Sequence, residues 1–318
     1  MDKPHIGGQA VIEGVMIRNR YVYSIAVRKP DGSIEVTKKA LKSPAQRYKI
    51  LRSPFVRGVT ALVENLILGL KSLLYSAEVA LPEEGGSAQT GENKSGKPKS
   101  GARGSSGMLL TLGLIPAVLL GVALFMILPN LSTHYLGVVE KDSPFLFNII
   151  AGVIRLCVFI LYIVVISFMR DIRRTFQYHG AEHKTIFCYE SDKPLTVGEV
   201  NCFKTMHPRC GTSFLFFVFF ITILVFPLIT VSLRVLYPGF IDQPLPFRKL
   251  ITLTLHIFIA LPVIASVSYE LLKLSDRFQD NLLMKILIAP GLLLQKITTK
   301  DPDDGQLEVA IEAVKAVL

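Results

Sequence analysis

The stretch Ser213–Leu233 reads SFLFFVFFITILVFPLITVSL and carries no charged residue. Crossing the hydrocarbon core of a bilayer takes about 20 residues of apolar helix, so this run predicts a membrane-spanning helix. Three further segments satisfy the same condition: Met108–Leu128, Phe145–Met169 and Leu250–Leu272. The first has no charge, the second carries Arg155, and the fourth carries His256 and, near its end, Glu270. The expected fold class is a mainly α, polytopic membrane protein. It has four transmembrane helices, a small N-terminal β unit and an amphipathic helix.

Composition agrees. The 318-residue chain is 50% hydrophobic, and the apolar residues are gathered in long runs. A net charge of +10 raises the question of nucleic acid. The basic residues flank apolar spans, however, and no aromatic-basic module is visible, so no nucleic-acid partner is expected. The lipid bilayer is the expected partner, together with another membrane protein or a second copy of the chain. The polar N-terminus, Met1–Ala10, is not a cleavable signal peptide. Four cysteines, one of them (Cys157) inside a span, do not make a secreted disulfide framework. Cys188 and Cys202 are expected to be plain buried thiols.

Orientation follows from the flanks. Lys94, Lys97, Lys99 and Arg103 precede the first span. Arg170, Arg173, Arg174, Lys184, Lys193, Lys204 and Arg209 fill the loop between the second and third, and Lys273, Arg277 and Lys285 follow the fourth. The positive-inside rule puts both termini and that loop in the cytoplasm.

The remaining segments organise around the spans. Residues 1–54 form a cytoplasmic β unit, in which Tyr21–Arg28 alternates, Asp31-Gly32 is a hairpin turn signal and Ser33–Thr37 returns. Residues 55–81 predict a helix on which Arg57, Glu64, Lys71 and Glu78 recur every seven residues as one narrow polar stripe. Such a helix lies in the membrane interface or is buried against other helices. Residues 82–107, rich in Gly, Ser and Lys, read as a flexible linker. The four-span domain covers 108–272, with a His/Cys loop at 170–212. Residues 273–318 form a cytoplasmic C-terminal segment with surface helices. Leu282–Leu294 is interrupted by Lys285 and Pro290-Gly291 and is too short to span. In the last helix, Leu307, Ala310, Ile311 and Val314 fall at helical spacing after acidic capping residues.

The chemistry lies between the second and third spans. Three of the six histidines and three of the four cysteines fall between His179 and Cys210. In Tyr178-His179-Gly180-Ala181-Glu182-His183 the two imidazoles are four residues apart, on one face of a helix that continues the second span past Met169. His207-Pro208-Arg209-Cys210 supplies two more candidate ligands. Thr196-x-x-Glu199 is a capping-box pattern for a short helix ending near Met206, before Pro208. Imidazole nitrogen and thiolate sulfur suit a divalent metal, zinc above all. The candidate ligands are therefore His179, His183, His207 and Cys210. The order His-x-x-Glu-His is that of inverted zinc peptidases, which makes Glu182 the candidate catalytic base. Solvated or hydrogen-bonded histidines are the plainer alternative. Candidate outer or substrate-contacting groups are Glu13, in a strand-like apolar context, Lys184, Arg209 and Glu270. Arg155 inside a span marks either a pathway or a structural pairing with Glu270 or a carbonyl.

Gly7-Gly8-Gln9-Ala10-Val11-Ile12-Glu13-Gly14-Val15-Met16, Tyr178–Lys184, His207–Ser213 and the tail with Asp301-Pro302-Asp303-Asp304 and Glu308-Val309-Ala310 closely resemble the YqhQ-like family. These are bacterial multi-pass membrane proteins of unknown biochemical function, with plastid relatives, often labelled predicted metal-dependent enzymes. The resemblance implies a protein of a bacterial plasma membrane with a His/Cys cluster.

Three functions compete. The first is a metal-dependent hydrolase at the cytoplasmic membrane face, acting on a lipid-linked or membrane-embedded substrate. The second is a non-catalytic scaffold, or an accessory factor in membrane-protein biogenesis, with a structural metal. A transporter ranks last, because four spans are few and only Arg155 and His256 are embedded polar candidates.

Overall fold

The computed structural model describes residues 5–80, 115–278 and 281–318. The linker expected at 82–107 and the start of the first span, 108–114, lie outside them. Four strands form an antiparallel meander in chain order: β1 (Gly7–Val11), β2 (Gly14–Arg18), β3 (Val22–Arg28) and β4 (Ile34–Ala40). The main helices are α1 (Val56–Ala80), α2 (Ile115–Tyr135), α3 (Pro144–Ile166), α4 (Arg170–Glu190), α5 (Val197–Asn201) and α6 (Gly211–Leu236). They are followed by α7 (Leu245–Leu255, a π turn over His256–Ala260, then Leu261–Arg277), α8 (Leu282–Thr298) and α9 (Asp304–Val317).

The expected Asp31-Gly32 turn is present. Gly32 has φ 86°, and the Asp31 carboxylate accepts the Ser33 N–H at 2.8 Å. The segment around Glu13 differs from the expected strand. Two strands meet there in a tight turn, and Glu13 itself sits at φ 51°. Gly14 then lies opposite Val27, where a Cβ would stand 2.2 Å from the Ala26 carbonyl oxygen.

The sheet is covered on both faces. Val15, Ile17 and Ala26 pack against Tyr178 and Ala181 of α4 and against Leu307, Ala310, Ile311 and Val314 of α9. The helical spacing expected in the tail is therefore a core face, and α9 is an interior helix rather than the expected surface helix. A capping box of Asp303 and Gln306 starts it. Val11, Met16, Ile25 and Val27 on the opposite face pack against Leu68 of α1. Small residues of α1 (Gly69, Ser72, Ser76) are buried there, and Ser76 Oγ accepts the Ile12 N–H at 3.1 Å.

Among the described residues, five helices are long and apolar enough to cross a membrane: α1, α2, α3, α6 and Pro246–Ser275 within α7. The sequence led to an expectation of four, because its regular charges set α1 apart. The helix expected to run on from the second span is interrupted. α3 ends at Ile166, and α4 starts afresh after an extended Met169. Two π turns, Ala123–Ile127 and His256–Ala260, lie just before Pro129 and Pro262. A proline lacks the N–H and crowds the carbonyl four residues back, and a widened turn relieves both problems.

The chain divides into two compact units, residues 1–82 with 160–318, and residues 83–159. In the second, Arg155 Nε donates to the Phe125 carbonyl at 2.7 Å. That is the carbonyl to which Pro129 cannot donate. A carbonyl was one of the structural partners expected for Arg155. In the first unit, α6 and α7 pack through Ile221, Ala260 and Ile264. α8 lies against α6 where Gly291 meets Ser213: a Cβ there would come within 2.9 Å of the Ser213 Cα.

Candidate metal centre

α4 is buried over nearly its whole second half, from Tyr178 to Tyr189. One turn of it presents His179 and His183 side by side, with ring centroids 4.4 Å apart. Cys210 approaches from the N-terminus of α6, where it is the N-cap residue. Its sulfur accepts the Thr212 N–H at 3.4 Å and faces the positive end of that helix dipole. His179 Nε2 lies 3.2 Å from Cys210 Sγ. The ligand atoms of His179, His183 and Cys210 all fall within 4.8 Å of one another. Ligands on one tetrahedral zinc are about 3.5 Å apart, so the three need only small adjustments to share an ion.

Their orientation is fixed from behind. His179 Nδ1 donates to the Thr298 carbonyl at 2.9 Å, and His183 Nδ1 donates to the Thr205 carbonyl. A carbonyl can only accept, so both protons sit on Nδ1 and both Nε2 lone pairs are free for a ligand role. Metal-binding histidines are held in this way. Burial also pushes the His183 imidazole below its ordinary range, towards the neutral form that ligation needs.

His207 stands one step back. Its ring centroid is 5.6 Å from that of His183. Its Nδ1 accepts the Arg209 N–H at 3.2 Å, which leaves the proton on Nε2, 3.6 Å from Glu190 Oε2. That buried Nε2 has no hydrogen-bond partner among the described residues. Burial raises the Glu190 carboxyl, but His207 and Arg209 beside it outweigh this and hold it below the usual range. The backbone of His207 is clamped by Gln295 of α8, which accepts its N–H at 2.8 Å and donates to its carbonyl at 2.9 Å.

His179, Glu182, His183, His207 and Cys210 all line one cavity of about 600 Å³. Glu182 is 5% exposed, and burial pushes its carboxyl up to about 7, a rise moderated by His179 and the Gly8 N–H. A Cβ on Gly8 would stand 2.9 Å from Glu182 Oε1 and 2.6 Å from the Met16 carbonyl, so β1 approaches the acid this closely only as glycine.

The outer candidates sit elsewhere or are already engaged. Glu13 is gripped by Arg174 through both carboxylate oxygens and by Tyr178 Oη at 3.2 Å, which anchors the β1–β2 turn to α4. Glu270 does not line the cavity, and its carboxylate takes two hydrogen bonds from Arg57. Buried Lys184 donates to Asn201 at 3.0 Å and lies 3.4 Å from Asp301. Arg209 lines the cavity but pairs with Glu190. Of the intramembrane candidates, His256 stacks on Phe226 with centroids 4.1 Å apart, and neither it nor Arg155 lines the cavity. Cys188 is buried as expected, whereas Cys202 is exposed. α5 starts at the expected Thr196 cap but ends at Asn201 rather than near Met206.

The residues that reading the sequence missed are of two kinds. Thr205 and Thr298 act through backbone carbonyls, which no side-chain pattern reveals. Gln295 and Arg18 carry a weak signal, each a polar side chain that directly follows an apolar run, Leu292–Leu294 and Val15–Ile17.

These features define a mainly helical, membrane-type protein with a small antiparallel sheet and a two-histidine, one-cysteine cluster on a cavity wall. The chain belongs to the family described as "Protein of unknown function (DUF1385)", whose model matches residues 53–318. It is 33% identical over 323 residues to "Uncharacterized protein YqhQ" of Bacillus subtilis (strain 168), covering 99% of this chain and 92% of that protein. The family resemblance carried by the sequence motifs is thus borne out. No solved structure matches the chain.

Proposed function

We propose that this protein is a divalent-metal hydrolase, zinc-dependent by ligand chemistry, working at the cytoplasmic face of a bacterial plasma membrane. The observation that carries the reading is the pair of Nδ1–H bonds to the Thr298 and Thr205 carbonyls. They turn two Nε2 lone pairs towards Cys210 on the wall of the cavity.

His179, His183 and Cys210 would hold the ion, which when bound acidifies water and polarises a substrate oxygen. Three protein ligands would leave room for a non-protein ligand, as catalytic sites require. Glu182 takes and gives the proton. Burial favours the protonated form of its carboxyl, which suits a group that must hold a proton as well as take one. Met16, Phe214 and Leu272, also on the cavity wall, limit bulk water.

α1 is read as an interfacial helix, which leaves four spans. Its small-residue face lies on the sheet. Val63, Leu66, Ile67, Leu70, Leu73 and Leu74 form an exposed apolar stripe suited to the headgroup boundary. The cationic loops support cytoplasmic termini.

The same stripe favours a second reading, in which α1 docks a partner membrane protein and the metal only ties α4 to α6. Metal content and X-ray absorption of the purified full chain decide between the two. One zinc per chain with two imidazoles, one sulfur and one non-protein oxygen is expected. A closed shell of four protein ligands, with His207 swung in, leaves only the structural role.

A further inference from the structure

Two arginines line the cavity, and they differ in one respect. Arg209 is neutralised by Glu190 and lies 3.3 Å from His5. The side chain of Arg18, at the end of β2, makes no hydrogen bond and no ion pair among the described residues. The nearest carboxylate to act on it is Glu64, whose oxygen already accepts from Ser43 Oγ at 2.6 Å. Burial strips water from this guanidinium, and the more distant Glu64 and Tyr269 offset that only in part. A half-buried cation without a direct ion pair is costly, and a fork of five donors facing a cavity matches the oxygens of a phosphate.

The walls around it are apolar. Ala61 and Leu62 of α1, Phe214 of α6 and Leu272 of α7 line the same space. All three helices are long and apolar enough for a membrane.

We propose that Arg18 is the anion-recognising residue of the cavity, and that the ligand it receives is a phosphate monoester carried on an apolar chain. This rests on reading the cavity as the reaction chamber, and it adds the substrate class. The guanidinium holds the phosphate, the apolar walls take the first part of the chain, and the His/Cys cluster shares the space. A phosphorylated lipid is the source that the walls favour, and free phosphate is the other source with the same chemistry.

The test is binding of dioctanoyl phosphatidic acid, dioctanoylglycerol and inorganic phosphate to the full chain in detergent, with metal content measured on each sample. Wild type is expected to bind the phosphatidic acid about 10- to 100-fold more tightly than dioctanoylglycerol. Arg18→Gln should lose that preference at unchanged metal content, and Arg18→Lys should keep most of it. Inorganic phosphate that binds as well as the lipid, and only with Arg18 present, upholds the anion site and assigns it to the free ion. Equal binding of phosphatidic acid by wild type and Arg18→Gln overturns the proposal. So does wild type that does not distinguish phosphatidic acid from dioctanoylglycerol, a measurement independent of whether the variant folds. Wild type that purifies without metal yet still prefers phosphatidic acid, a preference lost in Arg18→Gln, leaves the Arg18 assignment standing while removing the metal reading.

Discussion

Gly180 and Lys300 touch backbone to backbone. A Cβ at Gly180 would lie 2.0 Å from the Lys300 carbonyl oxygen. The approach is cemented by the Lys300 N–H, which donates to the Phe176 carbonyl at 2.9 Å. The glycine in the middle of the His-Gly-Ala-Glu-His run costs helix propensity. What it gains is the seat of the chain between α8 and α9, directly beside the Thr298 carbonyl that orients His179.

Gly180→Ala should therefore be far worse than its helix propensity suggests. Overpacking against backbone costs about 1–3 kcal/mol or more, and the displaced segment carries Thr298. The expected result is a lower Tm together with a lower zinc content. A variant with wild-type Tm and full metal would remove this contact from the account.

The three converging ligands should be separable from His207. His179→Ala, His183→Ala and Cys210→Ser should each lower metal content to a small fraction of wild type, since loss of one ligand of three leaves a two-point site. His207→Ala should retain the metal, because its Nδ1 accepts the Arg209 N–H and its ring sits back towards Glu190. Elemental analysis of the four purified variants checks this, and metal loss in His207→Ala would make His207 a ligand.

Glu182 gives a pH signature in metal-free protein. Its folded-state pKa of about 7 lies above the ordinary value of 4.5, so the folded state holds the proton more tightly than the unfolded chain. The stabilisation is complete below about pH 4.5 and is lost as pH rises through 7. The shift corresponds to about 3 kcal/mol. Denaturation of chelator-treated wild type and Glu182→Gln across this range should show a pH-dependent difference. Parallel curves would mean that the carboxyl is not buried in this way.

The placement of α1 is measurable by depth. Spin labels at Val63, Leu66, Leu70 and Leu73 should report one shallow depth if the exposed stripe lies in the interface. A spanning helix rises about 1.5 Å per residue, so the first and last labels would differ by about 15 Å.

Reading the sequence located much of this architecture. The apolar runs, the Asp31-Gly32 hairpin, the tail's helical spacing and the Thr196 cap all appear where local pattern put them. The prolines at 129 and 262 contain the reason for the π turns, though a proline alone does not say whether a helix kinks, bulges or stops. Glu13 looked like a strand residue because its neighbours are apolar, and only strand pairing exposed the turn. Glu270 looked free to reach the cluster, until α1 brought Arg57 against it.

By itself, the order of residues determined which segments are apolar, which are helical and which side chains are fit to bind metal, because these depend on neighbours within a turn or two. Which of the four candidate ligands meet, which way their rings face, and that the Arg18 side chain is left without a direct ion pair were decided only when the chain folded. Those properties depend on carbonyls and carboxylates tens to hundreds of residues away, such as Thr298 behind His179 and Glu190 beside Arg209.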